Sequence, residues 1–335
     1  MQFYKVLFFN SMMFGTLLSI SSFSWFTMWM GLEINLLSII PLMNKSKNMF
    51  SSEASIKYFI TQVVASSLVL ISIMINLNLL EFIPLNFNIY LNMIMNSGFL
   101  MKMGAAPFHF WFPEIMEGLN WFMGLIMLTW QKIAPMILLI NNFKLNMFIS
   151  LIIIYSSLIS GIQGLNQVSL RKIMAFSSIN HIAWMLSSML FSHSIWLMYF
   201  ITYSLISINF IMIFHNLNIY FTKQLFNSMN HKKSMKLIFS LNFLSLGGLP
   251  PFLGFLPKWI TINYLIFNSI YTISFMIIIL TLMTLFYYLR LALNSLIIYS
   301  IESINKNLTL NPLIFKFNLI ILSSLLLANL MISFN

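Results

Sequence analysis

The sequence predicts an all-α polytopic membrane protein of about eleven transmembrane helices, arranged as two five-helix inverted repeats with broken fourth and ninth helices. Three observations lead there. Of 335 residues, 60% are hydrophobic and 7% charged, with a mean hydropathy of +0.91, whereas soluble domains carry about 25% charged residues. The apolar residues come in runs of about 20, the length that crosses the hydrocarbon core of a bilayer. Thirteen lysines and arginines, from Lys5 to Lys316, fall on one side of the resulting topology and only Lys144 on the other. That asymmetry is the positive-inside pattern, and a miscount of one span would scramble it.

The spans read 3–21, 25–43, 56–80, 88–112, 119–142, 147–166, 171–191, 194–217, 236–265, 270–299 and 312–333. The first follows Met1-Gln-Phe-Tyr-Lys5 with no small-residue cleavage site and no Arg/Ser-rich stretch, so it is expected to be retained. The second carries Glu33 at its middle. The fourth is expected to break at Pro107, which lacks an N–H and frees the carbonyl of Met103. The fifth holds Lys132, with Pro135 freeing the carbonyl of Gln131. The seventh centres on His181. The ninth breaks at Gly247-Gly-Leu-Pro250-Pro-Phe-Leu-Gly254-Phe-Leu-Pro257-Lys258. Five spans separate the two breaks, so the chain reads as one transmembrane domain: 1–143 as the first repeat, 147–299 as the second and 300–335 as a terminal helix. An odd number of spans per repeat inverts the second, the arrangement of transporters with a mid-membrane site.

Composition excludes several chemistries. There is no cysteine, hence no thiolate metal site, iron–sulfur cluster or disulfide. His109, His181, His193, His215 and His231 are scattered, and no glycine-rich nucleotide loop follows a strand pattern. The net charge of +11 reflects interfacial anchoring and topology rather than nucleic acid, and the basic run His231–Lys236 reads as a solvated loop. Phe108, Phe110, Trp111 and Phe112 read as an interfacial aromatic belt, with His109 beside them at the interface or the polar break.

Four titratable groups fit no loop: Glu33, Lys102, Lys132 and Lys258. A lysine at bilayer depth costs about 2.5–3.5 kcal/mol on insertion scales, so it needs a partner or a task. Desolvation disfavours an ammonium and a nearby carboxylate favours it, so a row of buried lysines is able to alternate between charged and neutral forms. Thr129, Gln131, Ser177, Ser178, Asn180, His181, Tyr203 and Asn209 are candidate polar links between them. The competing uses are a packing ion pair for Glu33 and Lys102, snorkelling or subunit pairing for Lys132 and Lys258, and a hydrogen-bonded packing role for His181.

The segments Leu100-Met-Lys102-Met-Gly-Ala-Ala-Pro-Phe-His-Phe-Trp-Phe-Pro-Glu114, Leu128-Thr-Trp-Gln-Lys132-Ile-Ala-Pro135 and Ser245-Leu-Gly-Gly-Leu-Pro-Pro-Phe-Leu-Gly-Phe-Leu-Pro-Lys-Trp259 carry a resemblance. So do Trp29-Met-Gly-Leu-Glu33-Ile-Asn35 and Gly164-Leu-Asn-Gln-Val-Ser-Leu-Arg171-Lys-Ile-Met-Ala-Phe-Ser-Ser-Ile-Asn-His181. They resemble the NADH dehydrogenase subunit 2 family of mitochondrial complex I, in the shortened animal form that lacks the first three helices of longer bacterial relatives.

The resemblance implies an antiporter-like subunit of NADH:ubiquinone oxidoreductase that moves protons while quinone is reduced elsewhere. It places the relay on Glu33, Lys102, Lys132 and Lys258, to which the residue reading adds His181. It implies that NADH, FMN, iron–sulfur clusters and ubiquinone belong to other subunits and that this chain binds no cofactor. Expected partners are other membrane-arm subunits, including antiporter-like neighbours, and phospholipids such as cardiolipin, but no nucleic acid. The expected location is the mitochondrial inner membrane, N-terminus in the matrix and C-terminus in the intermembrane space. A free-standing cation/proton antiporter and a non-pumping scaffold subunit are the alternatives.

Overall fold

The computed structural model describes residues 3–44, 48–78, 85–142, 147–229, 233–250 and 252–297. The expected eleventh span lies outside them, as do Lys45, Lys47, Glu81, Lys144, His231, Lys232, Pro251, Glu302, Lys306 and Lys316. The described residues form helices joined by turns and short connections, with one isolated β-bridge between Ser169 and Phe221. Seven stretches have the length and apolar composition to cross a membrane.

Two compact units divide the chain, Met1–Phe148 and Ile149–Asn335. The first contains α1 (Phe3–Ser21), α2 (Trp25–Met43), α3 (Met49–Asn78), α4 (Leu85–Met103), α5 (Trp111–Gly118), α6 (Trp121–Leu128) and α7 (Trp130–Asn141). α8 (Met147–Leu165) leads into the second, which continues with α9 (Leu170–Met189), α10 (His193–Leu217), α11 (Thr222–Met229), α12 (Lys233–Gly247), α13 (Phe255–Phe267) and α14 (Tyr271–Ile297).

In the N-terminal unit α1 packs along α2, α2 on α3, and α3 against both α4 and α5, while α7 closes on α4. The α1–α2 approach depends on small residues: a Cβ on Gly31 would come within 2.7 Å of the Ser19 nitrogen and 2.9 Å of the Gly15 carbonyl. In the C-terminal unit α9 is the centre. All its residues but Arg171 and Lys172 are buried, six serine, asparagine and histidine side chains included. A helix buried on every side is a core helix, whatever its mean hydropathy.

Both broken helices end in the same way. α4 stops at Met103 because Gly104 adopts φ +75°, with its N–H on the Met101 carbonyl (3.2 Å) and the Ala105 N–H on that of Leu100 (3.0 Å). α12 stops at Gly247, where Gly248 adopts φ +76°, its N–H meets the Ser245 carbonyl (3.1 Å) and the Leu249 N–H that of Leu244 (3.2 Å). This is the Schellman termination, which ties back orphan end carbonyls and needs a left-handed residue after the helix. The glycines therefore set the breaks, three residues before Pro107 and well before Pro257, which lies in the first turn of α13 where proline is tolerated.

Other details depart from the reading of the sequence. The fifth span is also interrupted, at Thr129 (φ −114°, ψ −72°), between α6 and α7. The short helix α11 occupies a stretch expected to be loop. α12 begins at Lys233, and Lys236 is buried at 9% exposure, so the end of the basic run is helix rather than solvated loop. Trp111 and Phe112 face inward at 8% and 1% exposure, leaving Phe110 as the outward ring of the expected belt.

Gly31→Val should prevent α1 from seating on α2, since overpacking of this kind costs about 1–3 kcal/mol. A several-fold drop in assembled, protease-resistant protein on native gels checks it; wild-type assembly would show that the approach can relax.

Candidate functional site

In the N-terminal unit the end of α4 is held from several sides. The Met101 carbonyl also accepts the Trp111 indole N–H (3.1 Å), and the Lys102 carbonyl accepts the Gln62 amide (3.5 Å). Lys102 stands in this last turn at 8% exposure. The carboxyl end of a helix carries partial negative charge, so the fold supplies a cation with a favourable field where the helix breaks. Lys132 is the third residue of α7, restarted one residue after Thr129, and is 1% exposed. Its Nζ lies 5.5 Å from the centroid of the Phe112 ring, within the range of a cation–π contact.

Lys102 and Lys132 line a single cavity of about 20 Å³, shared with Asn35, Tyr58, Gln62 and Gln131. That is room for roughly one water molecule, and the polar wall offers the two to four partners a water needs. Asn35 and Gln131 join α2 to α7 through a reciprocal amide pair, Asn35 Nδ2–H to Gln131 Oε1 at 3.0 Å and Gln131 Nε2–H to Asn35 Oδ1 at 2.9 Å. The Tyr58 hydroxyl donates to the same Gln131 oxygen at 3.4 Å. Each lysine thus sits beside hydrogen-bonded amides instead of bare hydrocarbon.

Glu33 lies two residues before Asn35 on α2. Its carboxylate acts electrostatically on both Lys102 and Tyr58, yet makes no ion pair with Lys102. Lys57 does form ion pairs, with Glu53 (2.9 Å) and Glu114 (2.8 Å), both partly exposed. The packing ion pair expected as an alternative for Glu33 and Lys102 is not formed. Glu33 Oε1 is buried with no hydrogen-bond partner among the described residues. A fold optimised only for stability has reason to avoid such a group, which costs at least about 1–3 kcal/mol.

The C-terminal unit contains the other predicted residues. Lys258 is 7% exposed on α13; its Nζ donates to the Gly247 carbonyl at 2.8 Å and lies 5.8 Å from the Trp184 ring. This third intramembrane lysine caps the carboxyl end of a broken helix, reaching back from the segment beyond the break. Trp184 shares a face of α9 with His181 and Ser177, at helical spacing. His181 Nδ1 is 3.0 Å from the Tyr199 hydroxyl, and its ring lies 5.0 Å from that of Tyr203. Ser177 and Ser178 hydrogen-bond Tyr288 and Tyr203 respectively, Tyr287 donates to Tyr288 at 3.2 Å, and Asn180 donates to Thr284 at 3.1 Å. Asn209 instead meets Asn242 at 3.4 Å, linking α10 to α12.

The structure thus gathers Lys102, Lys132 and Gln131 about one cavity with Glu33 acting on it, and sets Lys258 and His181 within the polar interior of the other unit. Thr129 takes no place in the cavity wall; its hydroxyl donates to the Leu125 carbonyl at 2.8 Å. His109 is buried in the connection between α4 and α5, its Nδ1 3.2 Å from the Pro107 carbonyl. Residues missed by sequence reasoning are Asn35, Tyr58 and Gln62 in the first interior and Tyr199, Tyr287 and Tyr288 in the second. Asn35 alone carried a signal, as an amide within the Glu33 segment. Tyrosines in apolar runs look the same whether they face lipid or core.

Among the described residues no three histidine, cysteine, aspartate or glutamate side chains come together as a metal site. Residues 22–284 match the family described as NADH:quinone oxidoreductase/Mrp antiporter, transmembrane. The NADH-ubiquinone oxidoreductase chain 2 of Anopheles gambiae is 50% identical over 296 residues, 88% of this chain and 84% of the mosquito protein. That of Aedes aegypti is 48% identical over 302 residues, 90% and 86% of the two chains. A chain of respiratory complex I from Thermus thermophilus, solved with bound aureothin, shares the fold at a TM-score of 0.87 and 21% identity, over 99% of this chain and 80% of that one. With a family match over residues 22–284 and relatives 48% and 50% identical over the aligned residues, this chain belongs to the NADH:quinone oxidoreductase/Mrp antiporter transmembrane family.

Proposed function

We propose that the chain is a membrane-arm subunit of NADH:ubiquinone oxidoreductase and moves protons across the mitochondrial inner membrane. Its N-terminus faces the matrix, the side on which thirteen of its loop and helix-end cations collect. The observation that carries the reading is the cavity shared by Lys102 and Lys132, two ammonium-bearing side chains inside an apolar bundle beside interrupted helices. Nothing in packing alone calls for two lysines facing one small polar cavity.

In the proposed cycle, a charge change in a neighbouring subunit acts first on Glu33, whose Oε1 is buried without a hydrogen-bond partner among the described residues. Glu33 in turn acts on Lys102. Two unit charges 6–8 Å apart interact by about 2–3 kcal/mol at an effective dielectric near 20. That is enough to decide which lysine of a pair holds a shared proton. Lys102 then exchanges a proton with Lys132 through the cavity, and Lys258 ends the relay, with His181 as a link on the way. The repeated helix termination at Gly104 and Gly248, each with a buried lysine beside it, supports the reading of the sequence as two inverted repeats. Quinone reduction, nucleotide oxidation and all redox groups belong to other subunits.

Lys132→Ala in the assembled complex should lower proton pumping and coupled quinone reduction several-fold while leaving assembly intact. Dye-quenching in proteoliposomes beside NADH oxidation rates measures both, and a normal proton-to-electron ratio would reduce the chain to a scaffold. Proton movement by the isolated, reconstituted chain would instead favour a free-standing antiporter. Glu33→Gln should alter the titration of Lys102 seen by infrared difference spectroscopy, with a smaller loss of turnover than Lys132→Ala. An unchanged lysine signal would remove Glu33 from the relay.

A further inference from the structure

Apart from Lys258, the cations of the C-terminal half have so far been read only as anchors that set the topology. Residues 149–297 contain eight lysines and arginines and not one aspartate or glutamate. Arg290, in the last turns of α14, spends one guanidinium N–H on the Leu165 carbonyl. It borders a cavity of about 380 Å³ whose polar wall is completed by Asn166, Gln167, Thr222 and Asn294. Arg290 is exposed, and no carboxylate lies in that wall, so the rest of its guanidinium is free to meet an anion from outside the chain.

The cavity is built from stiff parts. The connection after α8 is fastened to the start of α11 by the Thr222 N–H on the Val168 carbonyl (3.1 Å) and the Leu170 N–H on the Tyr220 carbonyl (2.9 Å). Nearby, the Arg171 guanidinium stacks 4.8 Å from the Tyr220 ring, which braces the same connection. α11 is amphipathic, with Leu225 fully buried and Lys223 and Gln224 exposed, the pattern of a helix lying at a membrane surface.

The rest of the lining is apolar: Leu165, Val168, Phe226 and Leu291. α8 and α14, which frame it, are both long and apolar enough to span a bilayer. A guanidinium with neutral donors beside it suits a phosphate, which takes charge-assisted, often bidentate hydrogen bonds from arginine. The apolar wall gives a soluble phosphate nothing, but it fits the glycerol and first methylenes of a lipid whose tails continue along α8 and α14.

We propose that this cavity is a binding site for the phosphate headgroup of an anionic phospholipid, with Arg290 as its principal contact and the amides and hydroxyl around it as secondary donors. The site is separate from the lysine-lined cavity and does not depend on the relay. Bound there, the lipid would tie the end of α14 to the α8–α9 connection and to α11.

The test uses the intact membrane complex and phosphatidylglycerol carrying a photoreactive group near the top of an acyl chain. Crosslinks should concentrate on peptides containing residues 165–168 and 290–294. In Arg290→Gln they should fall by about fivefold or more, the scale expected for losing a charge-assisted hydrogen bond to phosphate, and Arg290→Lys should restore part of them. Unlabelled phosphatidylglycerol should compete and millimolar inorganic phosphate should not. Displacement by inorganic phosphate, or equal labelling in wild type and Arg290→Gln, would overturn the proposal. Should Arg290→Gln fail to assemble, Asn294→Leu on the exposed rim should weaken the labelling, and unchanged labelling there overturns it equally.

Discussion

An ammonium group inside a hydrocarbon bundle must be surrounded by oxygen, and this chain obtains that oxygen by ending helices early. A continuous helix uses its carbonyls internally and offers a lysine nothing. A helix stopped by a left-handed glycine leaves its terminal carbonyls and their collective negative field in mid-membrane. Lys102 occupies such an end as part of α4. Lys258 reaches one from beyond the break, with its Nζ on the Gly247 carbonyl. The glycines are therefore as much a part of the polar interior as the lysines.

That constraint organises what surrounds each lysine. The freed end of α4 recruits Trp111 and Gln62, and Trp111 brings α5 against the unit with Phe112 beneath Lys132. The amide pair of Asn35 and Gln131 then ties α2 to α7 at the same level. In the other unit, α9 turns a histidine, an asparagine and two serines toward tyrosines and a threonine on α10 and α14, so that polar groups meet polar groups in a core without lipid contact. Both interiors satisfy most of their polar atoms internally, the condition for placing them at membrane depth at all.

The membrane class and the three buried lysines of the interior were legible in the sequence, because bilayer length and the cost of charge in hydrocarbon leave strong marks on composition. It misled on where helices stop. Proline at 107 draws attention through its missing N–H, but Gly104, needing only a positive φ, acts first. The break at Thr129 has neither glycine nor proline to announce it. Nor does hydropathy distinguish Tyr287, buried beside Tyr288, from a tyrosine at the lipid boundary, because facing direction depends on neighbours distant in the chain. Phe112 was misplaced for the same reason: an aromatic ring serves an interfacial belt and a cation's underside equally well.

The complete enclosure of α9 has a consequence for biogenesis. With its serines, Asn180 and His181 buried, this helix is a poor candidate for a stable life alone in lipid. Its polar groups find their partners on α10 and α14, which are synthesised later. The insertion machinery must therefore shelter α9 until roughly a hundred further residues have emerged. Maturation of this half of the chain is then a single late event and not a helix-by-helix accretion.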